Sequence, residues 1–140
     1  MNSKCCGRSE NFLTITWQRL IEDGKTCSRC ESTEIEILKA VSTLREILRP
    51  FGIKVLLEKK EISAEQFKKD PLSSNQILIN GLPLEDWLNA KLGHTPCCDL
   101  CAPYECRTLE IGGKIFEVPT ADLIVQAGIE AVKDSIRSCC

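Results

Sequence analysis

The apolar patterns along these 140 residues predict one α/β domain, in the order β-α-β-α-β-β-α, with a cysteine-rich insertion after the third strand. Three observations predict it. An alternating apolar segment comes first and gives way to a long stripe of helical spacing. A short run of branched residues follows that helix, which reads as a β-α-β unit with parallel strands. Asn80-Gly81 and Gly112-Gly113 then mark two hairpins in the second half.

Residues 1–11 are polar, with Gly7 and two serines, and read as a flexible arm. From Phe12 to Ile21, Leu13, Ile15 and Trp17 fall on one face and Thr14, Thr16 and Gln18 on the other, the period of a half-buried strand. Asp23-Gly24 turns the chain. Thr26 is placed to cap the following helix, and Thr33 with Glu36 offers a second capping pair. Ile37, Leu38, Val41, Leu44 and Leu48 form one apolar stripe, which Pro50 and Gly52 end.

Ile53 to Leu57 reads as a buried strand and Glu58-Lys59-Lys60-Glu61 as its solvated end. Ser63 to Lys69 is a short helix closing at Asp70-Pro71, and Gln76 to Ile79 is the third strand. Pro83 leaves two readings of the return segment: an edge strand, or the start of a short helix holding Trp87 and Leu88. Residues 93–106 form the insertion, irregular from Gly93 to Glu105. Arg107–Ile111 and Lys114–Val118 make the second hairpin. Pro119-Thr120 opens the last helix, with Ile124, Ala127, Ala131 and Val132 facing inward. The domain spans 12–137, and 138–140 is a tail.

A chain of this length buries a sizeable core, and its hydrophobic fraction of 43% is ordinary. A net charge of -2, one Tyr and two Trp give no basis for nucleic acid or an anionic membrane as partner. Met1 to Glu10 lacks the apolar run of a signal peptide, and no segment approaches the roughly 20 apolar residues of a membrane span. The expected location is therefore cytoplasmic, where thiols are kept reduced. Ten cysteines there argue for reversible redox chemistry or metal binding rather than a disulfide framework.

Cys27-Ser28-Arg29-Cys30 stands at the strand-to-helix junction, the sequence form of a redox dithiol. The thiolate is the nucleophile, and helix N-terminal amides stabilise an anion. Lys25 and Arg29 add positive charge, while Glu22, Asp23 and Glu31 oppose it. Cys27, expected to be the more exposed, is the nucleophile; Cys30, one turn inward, resolves the mixed disulfide. This chemistry needs no cofactor. The same pair also suits half of a zinc knuckle.

A second cluster runs His94, Cys97, Cys98, Cys101, Cys106. It suits a tetrahedral zinc site, a redox pair, or a disulfide that ties the insertion down, while its spacing matches no standard iron–sulfur run. Arg107 either lowers the thiol pKa of Cys106 or is a solvated strand residue. The insertion can also fold over the edge bearing Cys27, so that the two C-x-x-C pairs form a relay or share one metal. The adjacent pairs Cys5-Cys6 and Cys139-Cys140 suit soft ions such as Hg(II), As(III), Cd(II) or Cu(I). No Ser-His-Asp arrangement or nucleotide motif is present.

Trp17-Gln18-Arg19-Leu20 leading to Thr26-Cys27-Ser28-Arg29-Cys30, then Gly52-Ile53-Lys54-Val55, Ser74 to Gly81, Cys98-Asp99-Leu100-Cys101, Glu105-Cys106-Arg107 and the Val118-Pro119 helix carry a resemblance. The chain resembles the thioredoxin fold and, over residues 12–137, a family of small prokaryotic thioredoxin-like proteins of unassigned function. The resemblance implies thiol-disulfide chemistry at Cys27 and Cys30 with a redox partner protein. Ser73-Ser74-Asn75 stands where thioredoxins carry a cis-proline, a departure that makes soft-metal binding easier. The terminal cysteine pairs are similar in placement to those of the arsenic metallochaperone of arsenical-resistance operons. That likeness implies the alternative: metal or metalloid binding and delivery to a transfer partner.

Overall fold

The alternation at the start of the domain becomes the central strand, β1 (Phe12–Leu20), with Leu13, Ile15 and Trp17 no more than 1% exposed. The computed structural model describes residues 11–22, 24–96 and 104–139. Helix α1 (Ser28–Leu48) buries Ile37, Ala40, Val41, Leu44 and Leu48; Leu38, expected in this stripe, is 49% exposed. A 3-10 turn at Arg49–Phe51 ends the helix, and Gly52 takes the left-handed conformation (φ 71°) that any side chain would strain.

Strand β2 (Lys54–Ile62) pairs in parallel with β1 along its whole length, from Phe12↔Lys54 to Leu20↔Ile62. It runs four residues past Glu58, through the segment read as a solvated end. As the edge of its sheet it carries those charges into water without leaving the ladder. Helix α2 (Ala64–Lys69) starts with a capping box: the Ser63 hydroxyl accepts from the Gln66 amide, and the Gln66 side chain accepts from the Ser63 amide. A 3-10 turn at Pro71–Ser73 leads to β3 (Gln76–Ile79), antiparallel to β1. Both readings of Pro83 hold in succession: a two-residue strand β4 (Leu82–Pro83), then helix α3 (Leu84–Leu88). The first sheet therefore has the order β2-β1-β3-β4.

The second half departs from expectation. Lys91–Pro96 is a strand, β5, where an irregular segment was expected from Gly93. With β6 (Glu105–Ile111) and β7 (Lys114–Phe116) it makes a separate antiparallel sheet, β5-β6-β7. The hairpin about Gly112-Gly113 thus belongs to this sheet and does not extend the first one. β4 has two residues and is followed at once by a helix, so it offers no ladder to extend. Gly93 lies opposite Thr108 and permits the close pairing, since a Cβ there would stand 2.8 Å from the Thr108 hydroxyl.

Helix α4 (Ala121–Cys139) packs against α1 and buries Ile124, Ala127 and Ala131. Thr120 accepts from the Leu123 amide at 3.2 Å, and Glu36 reaches across from α1 to accept from the Ala121 amide at 2.8 Å. Glu36 therefore caps a different helix from the one expected. Among the described residues, no helix is long and apolar enough to cross a membrane.

Candidate functional site

The N-cap of α1 is Cys27 itself, with extended backbone (φ -76°, ψ 163°) and no side-chain capping bond; Thr26 does not cap the helix. Cys27 is 2% exposed and Cys30 1%, so Cys27, expected to be the more exposed of the two, is as buried as its partner. Both side chains carry thiols rather than a disulfide. The Cys30 thiol is pushed far above the ordinary thiol range. The largest cause is its hydrogen bond to Cys27, then burial, then the charge of Cys27, while the Thr26 and Ser74 hydroxyls pull it down. Cys30 is thus the sulfur that holds its proton.

The floor of the site is built by the segment before β3. The Ser74 hydroxyl, beside Cys30, also accepts from the Leu20 amide at 2.9 Å. Asn75 is left-handed (φ 62°), a conformation asparagine tolerates better than most residues. Its carboxamide accepts from Trp17 Nε1 at 2.9 Å and donates to Thr33 Oγ1 at 2.9 Å. Thr33 in turn donates to the Arg29 carbonyl at 2.9 Å. Thr33 is consequently a buried mid-helix residue and not a cap. Ser74 and Asn75 stand where the sequence departs from the thioredoxin pattern. Their polar network joins β1, α1 and the turn, and closes one side of the dithiol.

Arg29, inside the C-x-x-C, reaches to the second sheet. It is buried, donates through Nη2 to the Thr95 hydroxyl at 2.9 Å, and lies 3.4 Å from a Glu117 oxygen. Thr95 sits on β5 directly opposite Cys106 of β6. Cys106 is buried and disulfide-bonded; with Cys27 and Cys30 both thiols, its partner lies outside the described side chains. In that state its sulfur is not a thiolate ligand.

Arg107 is buried too, against the reading of a solvated strand residue. It pairs with the buried Glu85 of α3 at 3.3 Å. Burial lowers its pKa, and Glu85 and Asp70 oppose that. Arg107 Nε and Glu85 Oε1 have no partner among the described residues. A small cavity lined by Asn75, Glu85, Arg107, Thr108 and Glu117 lies beside the pair. His94 is 54% exposed, with Nδ1 2.5 Å from a Glu105 oxygen. Cys5, Cys6, Cys97, Cys98, Cys101 and Cys140 lie outside the described residues, and Cys139 ends α4. Among the described residues, no three His, Cys, Asp or Glu side chains come together as a metal site.

Sequence reasoning missed Glu85; it marked Ser73-Ser74-Asn75 as the departure from the cis-proline but gave Ser74 and Asn75 no hydrogen-bonding role. A left-handed asparagine ahead of a strand is the one local signal that could have drawn attention to Asn75.

Comparison with known proteins gives a family and no activity. A family model described as a domain of unknown function (DUF2703) matches residues 13–128. An uncharacterized protein from Archaeoglobus fulgidus is 51% identical over 112 residues, which cover 80% of this chain and 82% of that relative. No solved structure matches.

Proposed function

The chain belongs to the DUF2703 family, and we propose that it is a thiol-disulfide redox protein using Cys27 as nucleophile and Cys30 as resolving thiol. The observation that carries this reading is the asymmetric pair at the start of α1, two thiols hydrogen-bonded to each other with the proton held on Cys30. The order β2-β1-β3-β4, with β1 and β2 parallel and β3 antiparallel to both of its neighbours, supports a thioredoxin-like arrangement around it.

The electrostatics suit two sequential exchanges. The Cys27 thiolate attacks a substrate disulfide, forms a mixed disulfide and releases one substrate thiolate. Cys27 then carries no charge, so two of the three effects that hold the Cys30 proton vanish: the hydrogen bond to the Cys27 thiolate and the repulsion by its charge. Cys30 loses its proton more readily, attacks Cys27 and expels the second substrate thiolate. Two electrons pass from the dithiol to the substrate.

Titration with oxidised glutathione, followed by mass mapping of alkylated peptides, tests the assignment. Cys27→Ser is expected to abolish mixed-disulfide formation at the site, and Cys30→Ser to trap glutathione on Cys27. Glutathione trapped on Cys30 in the native protein would reverse the roles and sink the reading.

The same contact between Cys27 and Cys30 favours one alternative, capture of a soft ion. Two adjacent thiolates suit ions that accept low coordination by sulfur, such as Hg(II) or Cu(I). In that reading nothing turns over, and thiols among Cys5, Cys6, Cys97, Cys98, Cys101, Cys139 and Cys140, apart from the one bonded to Cys106, deliver the ion. Uptake of Hg(II) that is unchanged when Cys27 and Cys30 are both replaced by Ser would exclude it.

A further inference from the structure

We infer that Ser74 is a catalytic residue of the dithiol, its hydroxyl donating a hydrogen bond to the Cys30 sulfur as that sulfur becomes the resolving thiolate; this rests on the redox reading above. Ser74 is 3% exposed, and its side chain hydrogen-bonds Cys30. The direction of that bond follows from the other partners. A thiol carries one proton, and that of Cys30 is held in the hydrogen bond to Cys27. None is left to give to Ser74, so the hydroxyl is the donor and the sulfur the acceptor. The bond accordingly favours the ionised sulfur, as a donor to a thiolate does. Three bonds from β1 fix the segment that carries this hydroxyl. Gln18 Nε2 donates to the Ser73 carbonyl at 2.9 Å, the Leu20 amide to Ser74 Oγ at 2.9 Å, and Trp17 Nε1 to Asn75 Oδ1 at 2.9 Å. The Thr26 hydroxyl also acts on Cys30, but no second bond fixes it. A donor held in place before charge develops stabilises that charge without having to reorganise.

In the resolving step Cys30 gives up its proton and its sulfur attacks Cys27 of the mixed disulfide. The Cys27–Cys30 bond forms, the bond from Cys27 to the substrate sulfur breaks, and the electron pair leaves on that sulfur. The proton lost by Cys30 ends on the departing substrate thiol, so the step balances with no outside reagent. Ser74 keeps its own proton throughout. Its bond strengthens as the Cys30 sulfur gains charge, because a hydrogen bond to an ionised group is roughly twice as strong as a neutral one. The first attack is made by Cys27, so Ser74 acts on the second step. A proline at this place would carry no such donor, whereas the serine supplies one.

Rapid acid quench of the reduced full-length chain mixed with oxidised glutathione, followed by mass mapping, separates the two steps. Glutathione appears on the Cys27 peptide in the first and is lost as the Cys27–Cys30 bond forms in the second. Ser74→Ala is expected to leave the first rate within about twofold and to slow the second by about 3–10-fold near pH 8. The slowing is smaller than the loss of thiolate, because a more basic thiolate is scarcer but attacks faster. The second rate should also level off at a higher pH than in the native chain. Ser74→Thr, which keeps a hydroxyl, should restore the native second rate. A second step at the native rate in Ser74→Ala would overturn the inference and leave the redox reading standing. So would both steps slowed alike, which marks a structural part only, or a Ser74→Thr chain as slow as Ser74→Ala. A native chain that takes no glutathione onto Cys27 overturns the redox reading and the inference with it. Should either variant fold poorly, neutron diffraction from the reduced native chain decides. A hydroxyl deuterium on Ser74 directed at the Cys30 sulfur supports the inference, and one directed elsewhere overturns it.

Discussion

The two sheets are held by different forces. In the first, β1 lies under α1 and α4, and Leu13, Ile15, Ile37, Leu44, Ile79, Ile124 and Ala127 are no more than 1% exposed. That burial is non-directional, and many apolar contacts share it. The second sheet leaves Leu92 44% and Ile115 60% exposed. Its central strand, β6, buries Arg107 and Thr108 beside Leu109, and its ties to the rest of the molecule include Arg29–Thr95, Arg29–Glu117 and Arg107–Glu85. The edge-on contact of Phe67 with Tyr104, ring centres 5.3 Å apart, is an apolar tie between them. A region secured by paired polar groups fails when one partner is lost, whereas an apolar core loses stability in proportion to the volume removed. The dithiol sits at the seam between the two.

The sharpest way to break this contrast is Arg107→Met. It leaves the Glu85 carboxylate buried beside an apolar chain, and loss of one partner of a buried pair costs about 3–5 kcal/mol. The double variant Arg107→Met/Glu85→Leu should recover most of that loss, because no uncompensated charge remains. Urea unfolding of both measures it. A single variant within about 1 kcal/mol of native would mean that the pair behaves as a solvated one.

Leu44→Ala probes the other region. Leu44 is fully buried between α1 and α4, and truncation of such a residue costs about 2–5 kcal/mol through lost transfer energy and the cavity left behind. Here no second truncation should rescue the first. If a neighbouring substitution did restore stability, the loss would be one of specific pairing and the two regions would not differ in kind.

Asn75 lies at the seam, and two substitutions separate its two contributions. Asn75→Gly keeps the left-handed backbone but removes the bonds to Trp17 and Thr33, for an expected loss of about 1–3 kcal/mol. Asn75→Ala removes the same bonds and adds left-handed strain of about 1 kcal/mol. Equal midpoints for the two variants in thermal unfolding would deny that the backbone conformation matters.

Local order made the first region legible. The alternation of Leu13, Ile15 and Trp17 and the stripe through Ile37, Val41, Leu44 and Leu48 are periodic signals, and they place Cys27-Ser28-Arg29-Cys30 at a helix start without reference to anything distant. The second region was not legible for the complementary reason. β5 exists because Lys91–Pro96 pairs with Glu105–Glu110 across an intervening segment, and nothing within either segment announces the other. Arg107 looks like a solvated charge until Glu85, which is 22 residues away in the chain, is placed against it. The same holds at the site. The C-x-x-C spacing announces the dithiol, but the burial of Cys27, the long reach of Arg29 and the proton held on Cys30 follow from packing that the spacing does not encode.

The smallest expected effect isolates that proton. Cys30 binds it more tightly folded than unfolded, first because of its hydrogen bond to Cys27, then because of burial, then because of the charge of Cys27. A group whose pKa is raised on folding contributes its full stability below its unfolded value and loses it as the pH climbs toward the folded one. The unfolded thiol titrates near pH 9.0. Stability of the native chain should therefore hold to about pH 8 and then fall, by about 1 kcal/mol near pH 9.5 on account of this one group. Cys30→Ser should lack that loss, so the difference in unfolding free energy between the two chains should change across this window and stay flat below it. A parallel decline in both chains would show that other groups govern the alkaline limb. It would also remove the asymmetry on which the roles of Cys27 and Cys30 depend.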